Sequence, residues 1–129
     1  MLKPTISVVT ATYNCEHTVA ECLASVSTQT YPHREHVVVD GASTDSTLVI
    51  LKAHAHQFAV LKSEPDAGIY DALNKGIALA RGDVVGFLHA DDLYASPDVL
   101  AQIALAFENP IVCAVYGDLQ YVSKEDTSK

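Results

Sequence analysis

A chain of 129 residues, 49% hydrophobic and 19% charged, has room for one domain with a real core and is too apolar for a disordered or fibrous protein. Sixteen acidic residues against eight Lys plus Arg leave a formal charge of −8, which excludes a basic, sequence-independent nucleic-acid surface. The longest apolar run, Ile6 to Ala11, is too short to span a bilayer, and Met1-Leu2-Lys3-Pro4 opens no signal-peptide core. Cys15, Cys22 and Cys113 lack C-x-x-C spacing and read as free thiols of a reducing compartment, so a cytoplasmic protein is expected.

Ile6 to Thr12 is rich in β-branched residues and predicts a strand buried on both faces. Val19, Cys22, Leu23 and Val26 follow at helical spacing, ending near Gln29 before Tyr31-Pro32. His36 to Asp40 predicts a second buried strand, and Ser43 or Thr44 is the expected cap of a helix through Leu48, Leu51 and Ala55. Phe58 to Leu61 reads as a short third strand. Ile69, Ala72, Leu73, Gly76, Ile77 and Ala80 form a helical stripe that stops at Gly82-Asp83. Val84 to Leu88 predicts a fourth strand. Pro97 is the expected first residue of a helix carrying Val99, Leu100, Ile103 and Phe107, and Ile111 to Tyr116 begins a last strand. This alternation predicts a mostly parallel α/β sheet with helices on both faces, over residues 1–122, followed by a polar tail, 123–129.

Ligands of open α/β sheets bind outside the carboxyl ends of the strands. Those ends carry Thr12, Tyr13 and Asn14, then Asp40 to Asp45, then His89, Asp91 and Asp92. No G-x-G-x-x-G follows the first strand, and neither a P-loop nor a G-x-S-x-G elbow occurs, which excludes the common dinucleotide, NTPase and hydrolase sites. A phospho-receiver would need acids where Tyr13-Asn14 stands. The remaining parts are a tyrosine able to stack on a base, an acid able to take an N–H or a hydroxyl, and carboxylates suited to a hard cation. They suit a nucleotide diphosphate held through a metal. His54 and His56 are two residues apart and share no helix face, which argues against zinc; Asp45 reads as a first-turn acid, Asp71 as an exposed residue without a partner, and Cys15 as an inert thiol.

The runs Ser7 to Asn14, Ser27 to Pro32, Val39 to Asp45, Ser63 to Gly76 and Gly82 to Asp92, in this order, resemble the N-terminal half of a family 2 glycosyltransferase of the Rossmann-like GT-A fold. The resemblance implies a nucleotide-sugar donor, most readily a UDP-sugar, transferred with inversion to a carbohydrate or lipid-linked acceptor. It implies Thr12 and Tyr13 against the base, Asp40 on the base or ribose, and Asp66 and Asn74 toward the diphosphate or sugar. Asp91 matches the metal-bearing acid of the family's D-x-D element and implies Mn2+ or Mg2+; His89 stands where the first acid of that element would be, and Gly41 where a second acid often follows strand two. The general base and the acceptor site are expected in a C-terminal half that this sequence lacks, with Tyr116 to Leu119 resembling its start. A truncated donor-binding domain is therefore expected, self-associating through an exposed apolar edge, and at the inner membrane face if the acceptor is lipid-linked. A non-catalytic nucleotide-sugar-binding module is the alternative. A nucleotidyltransferase would need a Gly-rich basic loop after strand one, and Ala11 to Asn14 supplies none.

Overall fold

The computed structural model describes residues 3–108, 114–115 and 121–123. The β-branched runs form the centre of one sheet. β1 (Ile6–Thr12) and β2 (Arg34–Asp40) pair in parallel from Ile6 opposite Arg34 to Thr12 opposite Asp40. β3 (Val60–Ser63) flanks β2 and β4 (Val84–Phe87) flanks β1, both parallel. Two short strands, β5 (Ala114–Val115) and β6 (Tyr121–Ser123), complete the order β3-β2-β1-β4-β6-β5, with β6 antiparallel to β4.

Alternation along each strand sends its side chains to two opposite layers. On one face α1 (Val19–Ser27) and α4 (Val99–Phe107) bury Cys22, Val26, Leu100, Ile103 and Phe107 against Ile6 and Val8. On the same face α2 (Thr47–Ala53) sets Leu51 with Val19, Leu23 and Val38. The opposite face, Val9, Val37, Val39 and Val85, is covered by α3 (Ile69–Leu79) through Ala72 and its neighbours. Each fully buried Val or Leu here contributes about 1.5–3 kcal/mol. α3 comes close to the sheet because residue 76 is glycine: a Cβ there would stand 2.2 Å from Val9 Cγ1. Helices on both faces of a mostly parallel sheet match the expectation.

Four details differ from it, each for a tertiary reason. α2 begins at Thr47 rather than after Ser43 or Thr44 and ends at Ala53, with a 3-10 turn at Ala55–Gln57. Ser43 and Thr44 are occupied elsewhere: the Ser43 hydroxyl donates to Asp40, and the Thr44 amide donates to Asn14 Oδ1. The third strand lies two residues later than Phe58 to Leu61, since Phe58 packs edge-on against His36 instead, ring centroids 5.4 Å apart. Pro97 precedes α4, and its carbonyl accepts the amide of Thr30 at 2.8 Å. The antiparallel partner of β4 is additional. Of Ile111 to Tyr116 only β5 is described; Cys113, residues 116–120 and the tail beyond Ser123 lie outside the described residues.

Candidate functional site

In this strand order β2 and β3 lie on one side of β1 and β4 on the other, so the carboxyl ends of β1 and β4 diverge at a switch in the topology. A cleft of about 520 Å³ opens there. Thr12, Tyr13, Asp66, His89, Asp91 and Asp92 line it, so five of the seven expected donor and metal residues, Thr12, Tyr13, Asp66, His89 and Asp91, meet at one place. Tyr13 is 62% exposed and offers a free aromatic face at the mouth. Cys15, Ile69 and Ala72 complete part of the wall, from α3 and the segment before α1; only the motif context of these residues could have suggested them.

Asp40 is placed behind that wall, fully buried. Its Oδ1 accepts the hydroxyls of Thr12 at 2.7 Å and Ser43 at 2.6 Å, and its Oδ2 accepts the Ser43 amide at 2.9 Å and the Ser63 hydroxyl at 2.8 Å. A carboxylate offers about four acceptor positions, and all four are taken. Burial works to raise the Asp40 carboxyl, but the bonds from Ser43, Thr12 and Ser63 outweigh it and hold the group below its ordinary value. Asn74 stands exposed on α3 and does not line the cleft.

Two turns at the strand ends are tied to each other. Asn14 and Ala42 both take left-handed backbone, φ 48° and 60°. Asn14 donates its amide to Ser43 Oγ at 3.0 Å and accepts the Thr44 amide on Oδ1 at 2.8 Å. Asp45 lies two residues ahead of α2 rather than in its first turn as expected, and it accepts the Thr47 amide at 2.8 Å.

The loop bearing Asp66 is stapled from α3. Lys75 Nζ lies 3.1 Å from Glu64 and 3.3 Å from Asp71 and donates to the Pro65 carbonyl, while Asp71 accepts the Ala67 amide at 2.9 Å. Asp71 is thus not an unpartnered surface acid as expected; the i,i+4 spacing of Asp71 and Lys75 is the signal that would have found the pair. The Glu64 bond raises the Lys75 ammonium above its usual value, and the Ala67 amide lowers the Asp71 carboxyl.

The acids after β4 differ in kind. Neither the Asp91 nor the Asp92 carboxylate makes a hydrogen bond or ion pair among the described residues, and both are exposed on the cleft. Their loop is held through its backbone: the Asp92 amide donates to the His89 carbonyl at 3.0 Å, and the Cys22 thiol reaches the same carbonyl at 3.5 Å. Burial pushes the Cys22 thiol up to about 12 and also raises Cys15, so both stay thiols, as expected. No group of three or more His, Cys, Asp or Glu among the described residues could hold a metal by itself. A hard cation that takes one or two carboxylates and fills its shell with substrate phosphate oxygens needs no such cage, and the exposed Asp91 and Asp92 carboxylates on the cleft are of that kind.

The profile of the family described as Glycosyl transferase family 2 matches residues 7–128. The chain belongs to that family. An uncharacterized glycosyltransferase of Mycobacterium tuberculosis H37Rv is 43% identical over 111 residues, 84% of this family 2 chain and 42% of the relative. The mannosyltransferase PcManGT of Pyrobaculum calidifontis, solved with GDP-Man and Mn2+, superposes at a TM-score of 0.82 with 26% identity, over 95% of this chain and 45% of that one. S. aureus TarS 1–349 in complex with UDP-GlcNAc gives 0.74 and 29%, over 81% and 31%. The family 2 chain has the GT-A fold of these glycosyltransferases and spans less than half the length of the relatives cited. No helix among its described residues is long and apolar enough to cross a membrane.

Proposed function

We propose that this chain is the donor-binding part of a metal-assisted, inverting glycosyltransferase that takes a nucleotide-diphosphate sugar and passes the sugar to a carbohydrate or lipid-linked acceptor. The observation that carries the reading is the cleft at the topological switch, which joins an exposed tyrosine to the carboxylates of Asp66, Asp91 and Asp92. Asp91, with Asp92 and His89 beside it, would hold Mn2+ or Mg2+. Bound there, the cation supplies Lewis-acid neutralisation of the departing diphosphate. Tyr13 and the Thr12 segment orient the nucleotide, and Asp40 fixes the strand ends behind them. The acceptor-side base is assigned to no residue of this chain.

UDP is titrated calorimetrically into the purified chain with Mn2+ and again after chelation. Binding that requires Mn2+ is the expected result; absence of binding with UDP, GDP and Mn2+ would withdraw the donor site. A second reading is a nucleotide-sugar-binding module without turnover. Release of free sugar from the bound donor separates the two: turnover supports the enzyme, binding alone the module.

A further inference from the structure

At Gly41, the residue after β2, an added Cβ would stand 2.7 Å from Asp66 Oδ2 and 3.2 Å from its Cγ. Gly41 is not among the glycines with positive φ, so its backbone is one that any residue can adopt. Space, not conformation, is the reason for glycine here, and the Asp66 carboxylate fills that space. The seat is firm, because the Gly41 amide donates to the Thr12 carbonyl at 2.9 Å.

We infer that Asp66, seated on Gly41, is the carboxylate that accepts a hydrogen bond from the nucleoside of the donor, a base N–H or a ribose hydroxyl, and that Gly41 determines specificity by providing the seat. The inference rests on the nucleotide-sugar reading and deepens it. Three observations lead to it. First, Asp40, the acid at the end of β2, is fully buried with its four acceptor positions filled from Thr12, Ser43 and Ser63. It has none left for a ligand. Second, Asp66 lines the cleft; its Oδ1 accepts the Gly68 amide at 3.1 Å, while its Oδ2 receives no hydrogen bond among the described residues. A carboxylate oxygen open to a cleft matches an N–H or O–H donor.

Third, the cleft has a direction. Asp91 and Asp92 follow β4, and Asp66 lies against the end of β2, with β1 and its Tyr13 between them. A diphosphate drawn to the β4 side leaves its nucleoside over Tyr13 and toward Asp66. Lys75 and Asp71 tie the loop that bears Asp66 to α3.

The test is calorimetry in Mn2+ with UDP, 2′-deoxy-UDP and N3-methyl-UDP on the full chain and on Asp66→Ala, Asp66→Asn, Gly41→Ala and Gly41→Ala/Asp66→Ala. The asparagine variant keeps the side-chain shape if alanine disturbs the loop, and urea midpoints check that each variant folds. UDP is expected to bind about tenfold more weakly to each single variant, the loss of one charge-assisted hydrogen bond. The double variant is expected to be no weaker than Asp66→Ala alone, since both changes remove the same contact. The unaltered chain should lose about as much with one of the two analogues, which names the donor group, and Asp66→Ala should no longer distinguish that analogue from UDP. A merely structural role would leave this discrimination intact. UDP binding to folded Asp66→Ala and Asp66→Asn as tightly as to the unaltered chain overturns the inference and leaves the donor reading standing. Unchanged binding by Gly41→Ala overturns the seat. No nucleotide binding by the unaltered chain overturns both readings.

Discussion

Gln29 Oε1 accepts the backbone N–H of Leu100 at 3.0 Å, so a side chain just past the end of α1 caps the first turn of α4. Its Nε2 donates to the carbonyls of Ser25 and Ser96, at 3.1 and 2.7 Å, and the residue is 4% exposed. α4 has no side-chain cap from its own Asp98, so this long-range bond does that work. Together with Thr30, which binds the Pro97 carbonyl, Gln29 anchors the far end of the segment that carries Asp91.

Gln29→Ala removes three hydrogen bonds, the one from Leu100 buried and the two to carbonyls part-buried, and leaves their partners without the side chain. It is expected to lower stability by about 2–4 kcal/mol, read from the urea midpoint. Gln29→Glu keeps the acceptor but loses both donations to carbonyls, so it should rescue little. Recovery to within about 0.5 kcal/mol by the glutamate variant would show that the Leu100 cap alone matters.

Gly76→Ala forces a Cβ onto Val9 Cγ1, between a helix and the central strand. A loss of about 1–3 kcal/mol is expected despite the better helix propensity of alanine. Gly76→Ala combined with Val9→Ala should cost less than the sum of the two single variants, since shortening Val9 relieves the overlap. Strict additivity in urea unfolding would place the strain elsewhere.

His36 sits in the core with Nε2 2.8 Å from Thr10 Oγ1, and burial lowers its pKa from 6.5 to about 4. Between those values the unfolded chain binds a proton that the folded chain refuses. Stability from this group is therefore full above pH 6.5 and is lost as pH falls toward about 4, by on the order of 2–3 kcal/mol. Asp40 acts lower: its carboxyl lies below 3.8 when folded, so its contribution disappears only under stronger acid. His36→Gln should flatten the stability profile between pH 6.5 and 4, whatever its effect at neutral pH.

Asp91→Ala should abolish the Mn2+ dependence of UDP binding while moving the urea midpoint by less than about 0.5 kcal/mol, because the carboxylate is exposed and unpaired among the described residues. His89→Asp restores the acid pair of the family's element and is expected to lower the Mn2+ concentration needed for half-maximal UDP binding. A Mn2+ requirement that persists in Asp91→Ala would move the cation to Asp92.

The sequence is legible through runs and periods. β1, β4 and α3 declare themselves by Ile6 to Thr12, Val84 to Phe87 and the stripe from Ile69 to Ala80, since burial of one face or both leaves a local pattern. The gathering of Tyr13, His89 and Asp91 was legible because strand ends of an α/β sheet share one edge. What could not be read depends on partners distant in the chain. Ser43 has the chemistry of a helix cap, and only the proximity of Asp40 and Asn14 turns it to another use. Asp40 looks like any acid at a strand end until Ser63, twenty-three residues later, supplies its last hydrogen bond. β6 is three residues long and owes its place to the Val84–Gly86 edge it pairs with.

The same carboxylate of Asp40 gathers Thr12 from β1, Ser43 from the following turn and Ser63 from β3. Three segments that converge on one pair of oxygens behave mechanically as a hub with spokes. Tilting one spoke strains the others, because all of them bond the same buried carboxylate. Ser63 touches nothing in the cleft, yet its removal would loosen Thr12 in the cleft wall and the Asn14 turn beyond it. The carboxyl edge of the sheet is thus a single braced plate, and the precision of whatever it holds is set partly at a residue outside the cleft.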